Sequence, residues 1–357
     1  MISIADPDVG AEEEDRVVEV LESGQLVAGE EVREFEREFA GYCGADHAVA
    51  TANGTAAIHA ALTALGLGEG DTVITSPFSF VATANAIRHC GAEPAFADVD
   101  PDTYNLDPAA VEAVAREIDA DAILAVHLFG LPAEMDRLQQ VADEYDLLLV
   151  EDAAQAHGAR YRGDRVGTFG DAACFSFYPT KNMTTGEGGM LVTDRQDVAE
   201  RAQRFVNHGR TGRYDHAEVG HNFRMPEMAA AMGRVQLRKL PRYTQARRSN
   251  AAVLDEALTE EPVATPVEPA DRYHVYHQYT VRCPDREGLR TYLKEQGIGT
   301  GVYYPTPIHE QPAYAEVACD APVAERAAEE VLSLPVHPGV DREDLRQIAT
   351  HVARYEP

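Results

Sequence analysis

Short apolar runs alternate with helical patterns from residue 48 to about residue 195, and this alternation constrains the fold more than any other feature. The apolar runs are short enough to be buried strands, and they lie at 48–51, 72–75, 95–99, 122–128 and 147–150. Strands that alternate with helices in this way form a parallel sheet with helices on its faces. We therefore predict an α/β fold whose mostly parallel sheet is covered by helices.

The pattern changes near Glu260, where Pro262, Pro266 and Pro269 indicate a linker. The residues after the linker predict strands at 276–282 and 298–303 and helices at 285–296, 321–332 and 342–355. This arrangement predicts a small C-terminal α+β domain, residues 251–357, beside a large domain, residues 1–250. Residues 1–30 are the part of the large domain that could pack on the small one.

Acidic residues outnumber basic residues by 60 to 31, which gives a net charge of −29. Nucleic acids and anionic membranes are bound by clustered Lys and Arg, so this balance argues against both as partners. It fits a protein adapted to high salt, where an acidic surface is screened and repels itself less. We predict that the melting temperature rises with molar KCl; a melting temperature that stays flat or falls would contradict this prediction.

The cysteines are odd in number, far apart and without a CxxC pair, and they are Cys43, Cys90, Cys174, Cys283 and Cys319. This spacing predicts reduced thiols and no metal site. The first residues include neither a cationic start nor an apolar signal segment, and no apolar run is long enough to span a bilayer. We therefore expect a cytoplasmic protein.

Three chemical groups follow strands of the predicted sheet. Gly54 and Thr55 stand between a strand and a helix, a geometry that offers backbone N–H groups and a hydroxyl to an anion. Asp152 follows the run 147–150, at the strand end where open α/β sheets bind ligands. Lys181 lies in an aromatic segment, where burial lowers the pKa of an ammonium and frees the amine for Schiff-base chemistry. Each group alone also fits a structural role, but together they predict a pocket.

Longer motifs in the same order make the chain resemble the DegT/DnrJ/EryC1/StrS family of sugar aminotransferases. These are enzymes of fold type I that use pyridoxal 5′-phosphate (PLP). The motifs that carry the resemblance are residues 53–55, 151–155, 176–181 and 220–225, and the similarity extends over nearly the whole chain. The resemblance implies a PLP-dependent aminotransferase with a large PLP-binding domain and a small C-terminal domain.

The resemblance also implies roles around the cofactor ring. Lys181 would hold PLP as a Schiff base and shuttle the proton during transamination. Asp152 would pair with the pyridine nitrogen and keep the ring an electron sink. Gln155 would lie beside the phenolic oxygen, and Phe80 would stack on the ring face.

Other residues would bind the cofactor's phosphate. Thr55, the backbone of Gly54 and Ala56, and the Ser176 hydroxyl match the family's phosphate-binding positions. Asn222 matches an asparagine that reaches the phosphate from the neighbouring subunit. The resemblance therefore implies a homodimer whose active site lies at the interface, and an inactive monomer.

The segment 301–309 resembles the family's loop that closes over the sugar, which makes Tyr304 and His309 the candidate substrate contacts. The implied reaction moves an amino group from L-glutamate to a nucleotide-linked keto-sugar for polysaccharide or glycan synthesis. A 4-keto-6-deoxy sugar is favoured, and a 3-keto sugar or a cyclitol or aminobenzoate-type compound is the alternative. Lys181 argues against a sugar dehydratase, which carries His there, and its presence with Asp152 argues against a non-catalytic homologue.

Overall fold

The computed structural model describes residues 1–259 and 262–356. The helices of these residues are α1 (Ala11–Ser23), α2 (Glu30–Cys43), α3 (Gly54–Leu65), α4 (Ala82–Cys90), α5 (Pro108–Glu117), α6 (Met135–Tyr145), α7 (Gln196–Phe205), α8 (Glu227–Ala257), α9 (Arg286–Glu295), α10 (Pro322–Glu330) and α11 (Arg342–Ala353). The strands are β1 (His47–Thr51), β2 (Thr72–Thr75), β3 (Glu93–Phe96), β4 (Ala122–Val126), β5 (Leu148–Asp152), β6 (Arg160–Tyr161), β7 (Asp164–Arg165), β8 (Ala172–Ser176), β9 (Gly189–Thr193), β10 (Arg272–Tyr273), β11 (Tyr279–Arg282) and β12 (Val331–Leu334).

Seven strands form the central sheet in the order β1-β9-β8-β5-β4-β2-β3. Strands β8, β5, β4, β2 and β3 are parallel, and β9 runs antiparallel to both of its neighbours. All strands except β9 therefore end at the same edge of the sheet. At that edge Thr51 of β1 and Ser176 of β8 both pair with Gly189, the first residue of β9. The predicted α/β fold with a mostly parallel sheet is confirmed.

Helices cover both faces of this sheet. Strand β4 is buried at every position, as expected for a parallel strand that is packed on both sides. Its Leu124 belongs to a core cluster with α3, α4 and α7, whereas Ile123 belongs to a cluster with α5 and α6 on the opposite face. In the described part of the chain, none of the helices has the length and apolar character required to cross a membrane.

A second core lies in the C-terminal part of the chain. Strands β11 and β12 pair antiparallel, and their buried side chains pack with α9, α11 and the end of α8. Ile2 packs against this core, and its N–H donates to the carbonyl of Gly297 at 2.8 Å. The start of the chain thus contacts the C-terminal core. The division at residue 250 stays a prediction, and Glu260 and Pro357 lie outside the described residues.

Two predicted elements of the C-terminal part are wrong. Residues 298–303 do not form a strand; Gly301 makes one isolated bridge to Ser333. Gly299 and Gly301 contribute no side chains that could pack on a sheet, which weakens a strand. The helix predicted for 321–332 ends at Glu330, because the apolar residues that follow pair with β11 as strand β12.

Helix α5 was missing from the sequence-based prediction, although its start carries two local signals. Pro108 occupies the first turn, and the Asp107 side chain accepts a hydrogen bond from the N–H of Ala109 at 2.9 Å. Proline at the first helical position and aspartate at the N-cap are both typical of helix starts. Helix α5 supplies the crossover between β3 and β4 and buries Val111 against the sheet.

Candidate active site

The carboxyl ends of β1, β2, β5 and β8 meet at one edge of the sheet, and a cavity of about 740 Å³ opens there. Most residues that were assigned to the site from the sequence line this cavity, and they are Gly54, Thr55, Ala56, Phe80, Asp152, Gln155, Ser176, Lys181 and Tyr304. They come from segments that are far apart in the chain. The shared edge of the sheet is what brings them together.

The N-terminus of α3 forms one end of the cavity. The Asn53 side chain caps this helix by accepting a hydrogen bond from the N–H of Ala56 at 2.9 Å. The first two N–H groups of α3, at Gly54 and Thr55, have no acceptor within the helix, and the helix dipole favours an anion beside them. A Cβ at Gly54 would lie 2.7 Å from the Ser176 Cβ, so only glycine allows α3 to begin this close to β8.

Lys181 follows β8 and is partly buried in the cavity wall. The turn that carries it is closed by a hydrogen bond from its N–H to the carbonyl of Tyr178 at 2.9 Å. Burial lowers the pKa of Lys181 to about 8, and the negative charge of Asp152 opposes part of this shift. A substantial fraction of the side chain is therefore neutral near pH 8, and the neutral amine is the form that attacks a carbonyl.

Asp152 is the last residue of β5, and its side chain reaches the same cavity. One carboxylate oxygen, Oδ2, accepts a hydrogen bond from Thr83 Oγ1 at 2.8 Å, and Oδ1 accepts one from the N–H of Ala154 at 3.1 Å. Burial raises the pKa of Asp152, while these two donors and the positive charge of Lys181 lower it. The result is a buried carboxylate that can pair with a cationic ring nitrogen.

Gln155 and Tyr304 meet across the cavity. The side-chain oxygen of Gln155 accepts a hydrogen bond from the N–H of Phe129 at 2.7 Å, which directs its amide nitrogen towards the Tyr304 hydroxyl at 3.2 Å. Burial raises the pKa of Tyr304, so the hydroxyl keeps its proton and can donate it in a hydrogen bond. The centroid of the Phe80 ring lies 5.9 Å from that of Tyr304, and Phe80 is 55% exposed at the cavity wall.

Asn222 and His309 are not among the residues that line the cavity. Asn222 is exposed and forms an isolated bridge with Asn207. The next residue, Phe223, holds this segment against β1 because its carbonyl accepts a hydrogen bond from the N–H of Ala52 at 2.6 Å. The His309 ring instead bonds to the Glu325 carboxylate at 3.2 Å. The roles assigned to Asn222 and His309 from the sequence therefore remain predictions.

Several residues that line the cavity were not predicted from the sequence, among them Thr83, His59 and His277. Burial lowers the pKa of His59 to about 4 and lowers the pKa of His277 well below its ordinary value, so both imidazoles are neutral. Thr83 lies four residues after Ser79, and a pair of hydroxyls at this spacing was the only local signal for it. No local pattern in the sequence singled out the two histidines.

The residues of this cavity fit PLP. A helix N-terminus with free N–H groups suits a phosphate, and a lysine that is neutral near pH 8 suits an aldehyde. A buried carboxylate suits a protonated pyridine nitrogen. All three groups face one cavity, and the glycine at the start of α3 lets this helix N-terminus lie against Ser176 of β8, where a Cβ would collide.

The fold and this cavity define a PLP-dependent aminotransferase of fold type I. The sequence profile of the DegT/DnrJ/EryC1/StrS aminotransferase family matches residues 7–353. The chain belongs to this family, as the motifs in its sequence predicted. The predicted enzyme class and cofactor are confirmed with it.

Three similar proteins illustrate the family. A "pleiotropic regulatory protein" of Geobacillus stearothermophilus is 44% identical, over 94% of this chain and 92% of its own length. The UDP-N-acetyl-3-dehydro-alpha-D-glucosamine 3-aminotransferase of Acidithiobacillus ferrooxidans is 40% identical, over 94% of this chain and 91% of its own. The crystal structure of S. venezuelae DesV with a ketimine intermediate superimposes with a TM-score of 0.93, at 40% identity, and covers 97% of this chain and 95% of that one.

Proposed function

We propose that the enzyme moves the amino group of L-glutamate to the keto group of a nucleotide-linked sugar. The observation that carries this proposal is that Lys181, whose pKa is lowered by burial, and Asp152 line one cavity that begins at the N-terminus of α3. The name of the relative from A. ferrooxidans supports a nucleotide sugar as the acceptor. The cavity of about 740 Å³ has a size typical of sites for ligands larger than the cofactor alone.

Different residues of the cavity have different roles in the proposed reaction. When bound, PLP supplies an electron sink that stabilises negative charge on the carbon that loses its proton. Lys181 Nζ would take up that proton and return it to the carbon on the other side of the bonded nitrogen, which requires a side chain with a pKa close to neutrality. Asp152 would pair with the positive charge at the ring nitrogen. Thr55 and Ser176 would hold the phosphate, and Phe80 would cover one ring face.

Both proposed substrates are anionic, but the cavity wall of this chain contains no arginine among the described residues. The segment 207–224 carries Arg210, Arg213 and Arg224 together with Asn222. In a homodimer this segment of the partner could supply cationic side chains and an amide to the cavity, because bidentate arginine contacts suit carboxylates and phosphates. We therefore propose that the active site is completed by a second copy of the chain.

A mixture of two inactive variants tests the shared site. Lys181→Ala and Asn222→Ala should each have low activity at limiting PLP, because each lacks one group that the site requires. Co-expressed at equal levels, they should regain about a quarter of wild-type activity, since half of the dimers would contain one intact site of two.

The control for this experiment is a mixture of Lys181→Ala with Asp152→Asn, because both residues come from the same chain as the cavity. Each site of the mixed dimer then carries one of the two changes, because Lys181 and Asp152 of a site belong to the same chain, so this mixture should stay inactive. Absence of recovery with Asn222→Ala as well as with Asp152→Asn would place Asn222 in the same chain's site and contradict its role across the interface.

Either C3 or C4 of the sugar can carry the acceptor carbonyl. The sequence-based prediction favours a 4-keto-6-deoxy sugar, whereas the name of the relative from A. ferrooxidans favours C3. The nucleotide, the cytoplasmic location and the adaptation to high salt remain predictions. Product formation from UDP- and dTDP-linked 3-keto and 4-keto sugars, measured by mass spectrometry, separates these acceptors.

The visible spectrum of the purified holoenzyme tests the proposed function directly. We expect a yellow absorbance band that bleaches on addition of L-glutamate, with release of 2-oxoglutarate, and returns on addition of the correct keto-sugar. A band that no amino donor bleaches would contradict transamination and favour a regulatory role, which the name of the relative from G. stearothermophilus makes a specific alternative. Return of the band with a cyclitol ketone but no keto-sugar would favour the other branch of the family.

A further inference from the structure

The Asp152 carboxylate is held by a hydroxyl from another part of the chain. Thr83 lies in the first turn of α4, is 1% exposed, and donates from Oγ1 to Asp152 Oδ2 at 2.8 Å. Asp152 itself is 5% exposed, so the bond is shielded from water. A hydrogen bond to an ionised acceptor in a buried setting is among the stronger ones in proteins.

A second hydroxyl extends this contact. Ser79 Oγ lies 2.9 Å from Thr83 Oγ1, and Ser79 is 4% exposed. Because the single hydroxyl proton of Thr83 is directed to the carboxylate, its oxygen must act as the acceptor, and Ser79 must donate. The three side chains form a directed chain of hydrogen bonds from Ser79 through Thr83 to Asp152. Each bond in such a chain polarises and strengthens the next.

These hydrogen bonds also link two sides of the cavity. Phe80 lies between Ser79 and Thr83 in the sequence, and its carbonyl accepts a hydrogen bond from the N–H of Thr83 at 3.1 Å. The segment that carries the aromatic ring is thereby attached to the strand that carries the carboxylate. Thr83 thus connects the segment of Phe80 to the Asp152 carboxylate.

We propose that Thr83 is a positioning residue that, with Ser79 behind it, fixes the Asp152 carboxylate in the orientation and ionised state that the cofactor's ring nitrogen requires. Thr83 acts through Asp152. The inference rests on the proposed role of Asp152 in the reaction, and it adds a residue that the sequence motifs did not indicate.

Removal of the hydroxyl should also change the response to pH. The groups that face the Asp152 carboxylate are Lys181, His127, Tyr304 and Cys174. Lys181 favours its ionised form by its positive charge, and burial opposes it. Loss of the Thr83 donor should raise the pKa of Asp152 further, because a hydrogen bond to the charged form is lost. The acidic limb of activity should then move to higher pH.

The experiment compares Thr83→Val, Thr83→Ser and Ser79→Ala in the holoenzyme with Asp152→Asn and a matched control. Thr193→Val is the control, because Thr193 is also buried but lies at the opposite edge of the sheet. Its hydroxyl donates a hydrogen bond to the carbonyl of Asp171 at 2.6 Å and accepts one from the N–H of Arg195 at 3.0 Å. The readouts are the dissociation constant of PLP, the pH dependence of the cofactor's absorbance, and the rate of bleaching by L-glutamate.

We expect Thr83→Val to bind PLP about tenfold more weakly or worse, a loss typical of a hydrogen bond to a buried charge. The pH transition of its absorbance should move upward, and Ser79→Ala should show a smaller change in the same direction. Thr83→Ser should restore values near wild type, and Thr193→Val should leave all three readouts unchanged. Rescue by serine separates the hydroxyl's role from a packing role of the side chain.

Unchanged PLP affinity and pH transition in Thr83→Val, together with a loss in Asp152→Asn, would overturn the role of Thr83 and leave the role of Asp152 intact. No loss in Asp152→Asn would overturn both. If Thr83→Val does not fold, Thr83→Ser and Ser79→Ala decide the question: a shift in Ser79→Ala with wild-type behaviour in Thr83→Ser supports the hydrogen-bond chain, and wild-type behaviour in both overturns it.

Discussion

Replacement of Lys181 by alanine should lower the rate of amino transfer by about 10³-fold or more, because the variant loses the amine that bonds the cofactor and the group that moves the proton. The yellow absorbance band of the holoenzyme should disappear or shift, since no other lysine lines the cavity in the described part of the chain. Both effects are measured on one sample, from the visible spectrum and from release of 2-oxoglutarate.

Two further variants isolate the reason for this loss. Lys181→Arg keeps a positive charge but has no neutral amine near pH 8, so it should be as inactive as Lys181→Ala. Lys294→Ala removes a lysine that is exposed on α9, far from the cavity lining, and should have wild-type activity. An active Lys181→Arg enzyme would mean that charge alone suffices and would contradict the proposed mechanism.

The lowered pKa of Lys181 can be tested by measuring how the rate of PLP capture depends on pH. Capture of PLP by the apoenzyme needs the neutral amine, which gains population as pH rises towards the pKa of about 8. The rate of capture should therefore increase with pH and level off above that value. A rate that rises with the pKa of an ordinary lysine, more than two pH units higher, would show that the cavity does not perturb Lys181.

Replacement of Asp152 by asparagine should lower turnover by about 10²-fold or more, a typical cost of removing one electrostatic partner in an active site. Asparagine keeps the size of the side chain but cannot balance a positive charge on the ring nitrogen. The measurement is the rate of bleaching by L-glutamate at saturating PLP, so that weaker cofactor binding does not account for the loss.

The thermal stability of Asp152→Asn should not fall with its turnover. Burial raises the pKa of Asp152, so keeping it ionised at neutral pH costs folding free energy, and the apoenzyme of Asp152→Asn should melt at the same or a higher temperature. Asp255→Asn is the matched control, because Asp255 is also partly buried with a raised pKa and accepts a hydrogen bond from the Tyr279 hydroxyl outside the cavity. Its turnover should remain that of wild type. Equal loss of turnover in both variants would contradict a specific role for Asp152.

Most of the site residues that could be predicted from local sequence follow the ends of predicted strands. Thr55, Asp152 and Lys181 each follow an apolar run, and parallel strands end at one edge of a sheet. That rule was sufficient to place the three side chains in one pocket, where the structure has them. The long motifs around them then indicated the cofactor, because each matched position carried the chemistry that PLP requires.

Other features depend on contacts that local patterns do not record. Strand β9 is antiparallel to both of its neighbours, although the alternation of strands and helices predicted parallel strands. The first two residues of β12, Val331 and Leu332, were assigned to a helix, because the partner strand β11 lies about fifty residues earlier in the chain. In both cases the direction or type of the element depends on the strand beside it.

By itself, the sequence determined the fold class, the family and most of the predicted site residues that line the cavity, because periodicity, motifs and strand ends are local properties of a chain. Only the tertiary structure decided how those groups are held. Thr83 reaches Asp152 across 69 positions and Gln155 reaches Tyr304 across 149, so neither pair has a signature in any one segment. The residue types at the site were readable in order along the chain, but the hydrogen bonds that orient them exist only where the fold brings distant side chains within about 3 Å.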